Sequence, residues 1–239
     1  MLRSDIDVKS LHTLFKAYDR LHIPDILRPD ALTSLVEEIE TGIPWRLSLN
    51  SGPKGLDLSL DELAQLDDEL LKRIDDAVYA QAATGFQYRF DAYRLSDEIE
   101  AGRATLPHLM ALYAFLNSDR FLKFIADVTG DARGDYCDAQ VTRYRPGHFL
   151  TTHTDAHEEK HRLFAYVLNL SGDWRSDWGG LLQFIAPDGH ISEAYTPVMN
   201  ALNLFKVPQA HAVSFVAPFA AKNRLSVTGW VRMKPDART

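Results

Sequence analysis

Cysteine is almost missing from this chain: Cys137 is the sole thiol in 239 residues. That excludes an intramolecular disulfide framework and zinc sites built from several cysteines, and it suits a reducing compartment. Long apolar runs are missing too, since no stretch approaches the roughly 18 uninterrupted apolar residues of a membrane span. The opening MLRSDIDVKSL places acids where a secretory signal needs a positive flank and then an apolar run. A cytoplasmic protein with no membrane partner is expected. Positive charge is in deficit, 26 Lys and Arg against 33 Asp and Glu giving −7 with His neutral, so the molecule repels phosphate backbones and nucleic acid is an unfavoured partner. Neither internal repeats nor Pro/Gly/Ser linkers divide the chain. With 46% hydrophobic and 25% charged residues, an ordinary globular domain spanning 1–239 is expected.

What is present changes character near Gly130. Before it, the apolar residues follow helical spacing. Pro29 opens a pattern with Leu32, Leu35, Val36 and Ile39 on one face, closed by Gly42 and Pro44. Leu63, Leu66, Leu70, Ile74 and Val78 continue the spacing over a longer run. Pro107 begins a third helix through Leu116, and Ser118 caps a fourth that stops at Gly130. Between them, 86–93 alternates like a strand. After Gly130, six strand-like runs follow, at 139–144, 163–170, 181–185, 198–205, 212–216 and 225–232. The expected fold is mainly β with N-terminal helices: a double-stranded β-helix, the cupin-like jelly roll, packed by α-helices. Residues 1–130 would be a helical support with an early strand, and 131–235 the catalytic core.

Six of the nine histidines fall in the β-rich half, and two metal sites can be drawn from them. His157-Glu158-Glu159-Lys160-His161 matches the H-E-x-x-H pattern of zinc proteases. That chemistry needs both histidines on one face of a packed helix, and this pentapeptide is wholly polar and lies between strand-like runs. A solvated loop is the expectation. The second site joins His153, Asp155 and His211. Residues i and i+2 of a strand share a face, and a third ligand from a distant strand makes two imidazoles and one carboxylate on one face of an octahedron, an arrangement typical of non-haem Fe(II) oxygenases. His148 and His190, next to glycines, are expected in exposed turns.

Thirteen residues after His211, the run Arg224-Leu225-Ser226-Val227-Thr228-Gly229-Trp230 puts Arg224, Ser226 and Thr228 on one strand face. A cation pointing inward needs a partner, and the distal end of a dicarboxylate matches its planar fork.

Taken together, Tyr144-Arg145-Pro146-Gly147, His153-Thr154-Asp155, Trp178-Gly179-Gly180-Leu181-Leu182-Gln183-Phe184, His211 and Arg224 to Trp230 resemble the Fe(II)- and 2-oxoglutarate-dependent dioxygenases of the prolyl 4-hydroxylase type. The resemblance covers about 136–233. Tyr166 to Asn169 with Pro187-Asp188-Gly189 is similar to the oxygen-sensing and ribosomal-protein prolyl hydroxylases, although Val167 stands where the oxygen-sensing enzymes carry a second tyrosine. The resemblance implies Fe(II) held by His153, Asp155 and His211. It further implies 2-oxoglutarate bound through Arg224 with Tyr144 and Ser226 or Thr228 as hydrogen-bond donors, O2 as co-substrate and ascorbate as a reductant. The implied substrate is a prolyl residue of a protein or peptide. A free amino acid or small metabolite is the alternative substrate, and a metal-free jelly-roll binding module the alternative outside the enzymes. The sequence leaves the oligomeric state open.

Overall fold

A computed structural model describes residues 1–51 and 54–234. The N-terminal region runs α1 (Val8–Tyr18), β1 (Arg20–Ile23), α2 (Pro29–Gly42), β2 (Arg46–Ser51), β3 (Lys54–Ser59), α3 (Leu60–Ala64), α4 (Asp68–Ala82), β4 (Tyr88–Tyr93), α5 (Leu95–Glu100), α6 (Pro107–Leu116) and α7 (Asp119–Thr129). The β-rich half follows as β5 (Tyr136–Cys137), β6 (Gln140–Tyr144), β7 (Phe149–His153), β8 (Arg162–Asn169), β9 (Leu182–Ile185), β10 (Ile191–Tyr195), β11 (Ala201–Lys206), β12 (His211–Val213) and β13 (Arg224–Arg232). No helix among the described residues is long and apolar enough to cross a membrane.

Capping chemistry sets several boundaries. Pro29 and Pro107 sit in the first turns of α2 and α6, where the missing N–H costs nothing. The Ser118 side chain accepts from Phe121 N, and Gly130 closes α7 in a left-handed conformation. The expected long helix through Leu63 to Val78 is instead two. Ser59 and Glu62 form a reciprocal capping box on α3, and the Asp67 side chain accepts from Leu70 N to start α4 afresh. Polar side chains at 59 and 67 thus override the apolar period. α1, β1 and the β2–β3 hairpin lie outside the elements read from the sequence pattern, although α1 is amphipathic, with Val8, Leu11 and Phe15 on the core side.

Every strand pairing is antiparallel. The principal order is β1-β11-β8-β13-β6-β4-β7-β12-β9-β10, with β2 and β3 extending from β4, and β5 from β13. The sheet turns back on itself at β4–β7, so β9 faces β8 and β11: Leu182 and Phe184 pack with Ala165, Val167 and Phe205. This is the jelly roll. Strand alternation divides its larger layer. From β8, Phe164, Tyr166 and Leu168, and from β13, Leu225, Val227 and Val231, join the main apolar core with Leu35 and Ile39 of α2, Leu109, Leu112 and Leu116 of α6, and Phe121, Phe124, Ile125 and Val128 of α7. Each fully buried aliphatic there contributes about 1.5–3 kcal/mol relative to an exposed one. Helices on the outside leave the inner face free for other chemistry.

Candidate metal centre and its cavity

Two of the three candidate ligands face each other across a strand pair. β12 and β7 place His211 opposite His153, with ring centroids 4.1 Å apart. Each Nδ1 donates to a main-chain carbonyl, His153 to Thr151 at 3.0 Å and His211 to Gln209 at 2.8 Å. That fixes the tautomer and turns both Nε2 atoms toward Asp155. Asp155 arrives by a different route from the one the i, i+2 spacing suggests. β7 ends at His153, and Asp155 lies beyond it with φ of +61°, a left-handed conformation that aspartate tolerates. Its two oxygens then meet the imidazoles separately, Oδ1 at 3.3 Å from His153 Nε2 and Oδ2 at 3.3 Å from His211 Nε2. Burial opposes the charged carboxylate, but hydrogen bonds and charge from both histidines outweigh it and hold Asp155 below the usual range.

Three donor atoms gathered within 4.8 Å of one another are the chemistry of a metal site. Neighbouring ligands at about 2.1 Å from one ion stand roughly 3 Å apart in an octahedron, close to the separations here. Two imidazoles and one carboxylate on one face therefore fit Fe(II). By contrast, Glu158–Lys160 forms one exposed 3-10 turn flanked by His157 and a left-handed His161. The H-E-x-x-H pattern has no packed helix under it and stands outside the triad.

The triad opens into a cavity of about 340 Å3 that also holds Tyr144, Thr142, Arg224 and Thr228. Larger clefts of about 700 and 590 Å3 lie elsewhere. Arginines lining them, such as Arg94, Arg103 and Arg133, are already paired with carboxylates. Arg224 differs. It is 1% exposed, its Nε has no hydrogen-bond partner, and no carboxylate among the described residues pairs with it. Its guanidinium lies 4.8 Å from the centre of the Tyr144 ring, and burial lowers its pKa, opposed by Tyr144. Burial also pushes the Tyr144 phenol up to about 12, so it is a neutral donor. Gly180, at φ +64°, passes so close that an added Cβ would stand 3.1 Å from Arg224 Cδ. Thr228 lines the cavity. Ser226 is fully buried, and its hydroxyl meets Thr142 Oγ1 at 2.8 Å, so it reaches the cavity through Thr142.

Of the other lining residues, Arg162 carries no sequence signal. Arg162 lies with its guanidinium carbon 3.4 Å from the centre of the Trp230 ring. Both Arg162 Nε and Trp230 Nε1 are buried without partners. From the β4 side, Phe86, Tyr88 and Phe90 meet in tilted pairs at 5.7 and 5.4 Å between ring centres, and Phe90 stacks on Tyr144 at 5.2 Å. Tyr88 on β4 and Arg94, just past its end, line the cavity, whereas Arg89 pairs with Asp75. The expected exposure of His148 is corrected: Gly147 does make a turn at φ +87°, but the ring behind it is 1% exposed. Burial pushes its pKa down to about 3. His190 is exposed as expected.

Against this geometry, comparison with known proteins is specific. Residues 139–232 match the 2OG-Fe(II) oxygenase superfamily. Over those residues the chain is similar to a 2OG-Fe(II) oxygenase core. Fe(II), 2-oxoglutarate and O2 are the cofactor and co-substrates of that core. Mouse (Mus musculus) prolyl 3-hydroxylase OGFOD1 is 28% identical over 147 residues, which are 59% of this chain and 26% of that protein. The chain thus spans about a quarter of its curated relative. In fold, the chain resembles a Pseudomonas putida prolyl-4-hydroxylase (TM-score 0.59, 18% identity, 95% of this chain and 100% of the other). It also resembles a Trichoplax adhaerens prolyl hydroxylase solved with a hypoxia inducible factor oxygen degradation domain peptide (TM-score 0.58, 12% identity, 94% and 88%).

Proposed function

We propose that this oxygenase hydroxylates a prolyl residue of a protein or peptide, with His153, Asp155 and His211 holding Fe(II), Arg224 holding the distal carboxylate of 2-oxoglutarate, and residues 1–130 supporting the core within one domain. The observation that carries the reading is Arg224: a fully buried guanidinium without a carboxylate, in the same cavity as a His-Asp-His triad. A buried charge kept unpaired destabilises the free protein unless a ligand completes it, and a dicarboxylate is the co-substrate of this family. Its planar fork takes the C5 carboxylate, the neutral Tyr144 phenol donates to it, and Thr228 supplies a second hydroxyl, with Ser226 holding Thr142 behind.

On the metal side, the Nδ1 anchors aim both Nε2 atoms at the metal position. With one carboxylate they leave a dication a net single positive charge, which favours an anionic chelator. Bound there, Fe(II), 2-oxoglutarate and O2 supply the family's oxidation, in which 2-oxoglutarate becomes succinate and CO2 while one oxygen atom enters a substrate C–H bond. The protein's task is to hold that C–H near the triad and keep other groups away.

Three features support a peptidyl proline. The relatives above are named prolyl hydroxylases. The cavity shares Gln140, Lys160, Arg162 and Trp230 with an adjoining cleft of about 260 Å3, room beside the triad for a chain. The unpaired Arg162 and Trp230 N–H groups call for carbonyl acceptors, and the Phe86-Tyr88-Phe90 wall offers ring faces to a pyrrolidine. The test is mass spectrometry of cell proteins with active enzyme and with the Asp155→Ala variant, seeking +16 Da on proline. Its absence on every peptide, with robust succinate formation on a free amino acid or metabolite, transfers the assignment to a small-molecule hydroxylase. Absence of any iron-dependent succinate formation returns the chain to a binding module.

A further inference from the structure

Asp155 is the member of the triad that no strand holds. His153 and His211 are fixed by the β7–β12 pairing, whereas Asp155 sits past the end of β7 in a left-handed turn, a conformation that aspartate tolerates and that its surroundings, rather than a strand partner, hold in place. Those surroundings are provided by Arg162, the first residue of β8. Its Nη1 donates to the Asp155 main-chain carbonyl at 3.1 Å and lies 3.8 Å from Asp155 Oδ1. The arginine is itself held, by stacking on Trp230. Trp230 N in turn donates to Asp138 Oδ1 at 2.7 Å, and Asp138 receives Arg232 Nη1 at 3.1 Å. Arg232 Nε then donates to the Lys160 carbonyl at 2.7 Å, and Met233 N to that of His161 at 3.2 Å. The end of β13 therefore grips both ends of the loop that leaves Asp155.

We propose that Arg162 is a positioning residue for the metal site, locking Asp155 in its left-handed turn, with the end of β13 as the fixed half of the clasp. The inference rests on the triad being the Fe(II) site. Arg162 as a plain cavity-wall cation predicts the opposite sign. A positive charge 3.8 Å from a ligand carboxylate repels a dication, so its removal would tighten metal binding if charge were all that it contributed. If it positions the ligand, its removal weakens binding, as the loss of groups that orient metal ligands does, by about 10- to 100-fold.

The experiment uses the full chain without metal, with Co(II) as the probe, reading its dissociation constant by calorimetry and its visible d–d band. Arg162→Gln is expected to weaken Co(II) binding about 10- to 100-fold and to change the band. Arg162→Lys should recover part of the loss, because an ammonium can donate to the Asp155 carbonyl but cannot lie flat on an indole. Trp230→Leu, which keeps the arginine but removes its support, should show a smaller loss of the same sign. Co(II) binding by a folded Arg162→Gln variant that is as tight as wild type or tighter, with an unchanged band, overturns the proposal. Should that variant not fold, undiminished binding in both Arg162→Lys and Trp230→Leu overturns it equally. Wild type and Asp155→Ala binding Co(II) alike would instead defeat the triad itself, a separate result.

Discussion

The two faces of β8 and β13 are built from adjacent residues and behave as different materials. Toward the helices, Phe164, Leu168, Val227 and Val231 meet α1, α6 and α7 in an apolar core. Toward the cavity, Arg224, Thr228 and Trp230, joined by Arg162 from the start of β8 where the register to β13 shifts, present polar atoms, several buried and without partners. One face closes the fold, and the other is left chemically incomplete for something to bind. Period-2 alternation keeps them apart, so function costs stability on one face without loosening the other.

The sharpest break in that contrast is at the triad. Asp155→Ala is expected to abolish Fe(II) or Co(II) binding and succinate formation, while His161→Ala leaves metal binding intact; calorimetry of both variants checks this. A reversed result would restore the H-E-x-x-H reading. Next, Arg224→Ala should weaken 2-oxoglutarate binding by about 2–5 kcal/mol while metal affinity changes little. Arg224→Met sharpens the point: by removing an unpaired buried charge it should lose the co-substrate yet leave the melting temperature unchanged or a few degrees higher. On the helix-backed face the signs invert. Leu112→Ala leaves a void in a site with no exposed surface and should cost about 2–5 kcal/mol in denaturant unfolding, with 2-oxoglutarate affinity of the folded fraction preserved.

The smallest effect concerns His148. Its folded pKa of about 3 lies below the ordinary 6.5, so the unfolded chain binds the extra proton, and stability present above about pH 6.5 is lost as pH falls toward 3. By pH 5 the penalty reaches about 2 kcal/mol. His148→Gln should flatten that part of the stability curve, and urea unfolding between pH 5 and 7.5 measures it. Parallel curves for the two proteins would mean that His148 keeps its proton inside the fold.

Much of this was legible in the residues. Pro29, Pro107, Ser118 and Gly130 mark helix ends because their effects are local: a missing N–H, a short side-chain acceptor, an open left-handed region. The switch to strands near Gly130 is visible because alternation needs only neighbouring residues, and the inward placement of Arg224 follows from the same rule. Asp67 defeated the apolar period before α4, since one capping bond outweighed the spacing of Leu66 and Leu70. Gly147 signalled its turn correctly, yet nothing local says that the next ring, His148, is sealed from water.

The sequence by itself determined the helices that start at Pro29, Pro107 and Ser118, the change to strands near Gly130, the polarity of the β13 faces and the candidate donor set of His153, Asp155 and His211, because these depend on residue type and short-range period. Only the tertiary structure decided that β12 pairs with β7 to bring His211 opposite His153, that Asp155 completes the triad from a left-handed turn, and that Arg162 and Trp230 stand beside it. Those outcomes depend on register between distant strands and on contacts of one side chain with a loop. Such long-range choices are settled by packing the whole sheet at once, and they leave no local signature in the chain.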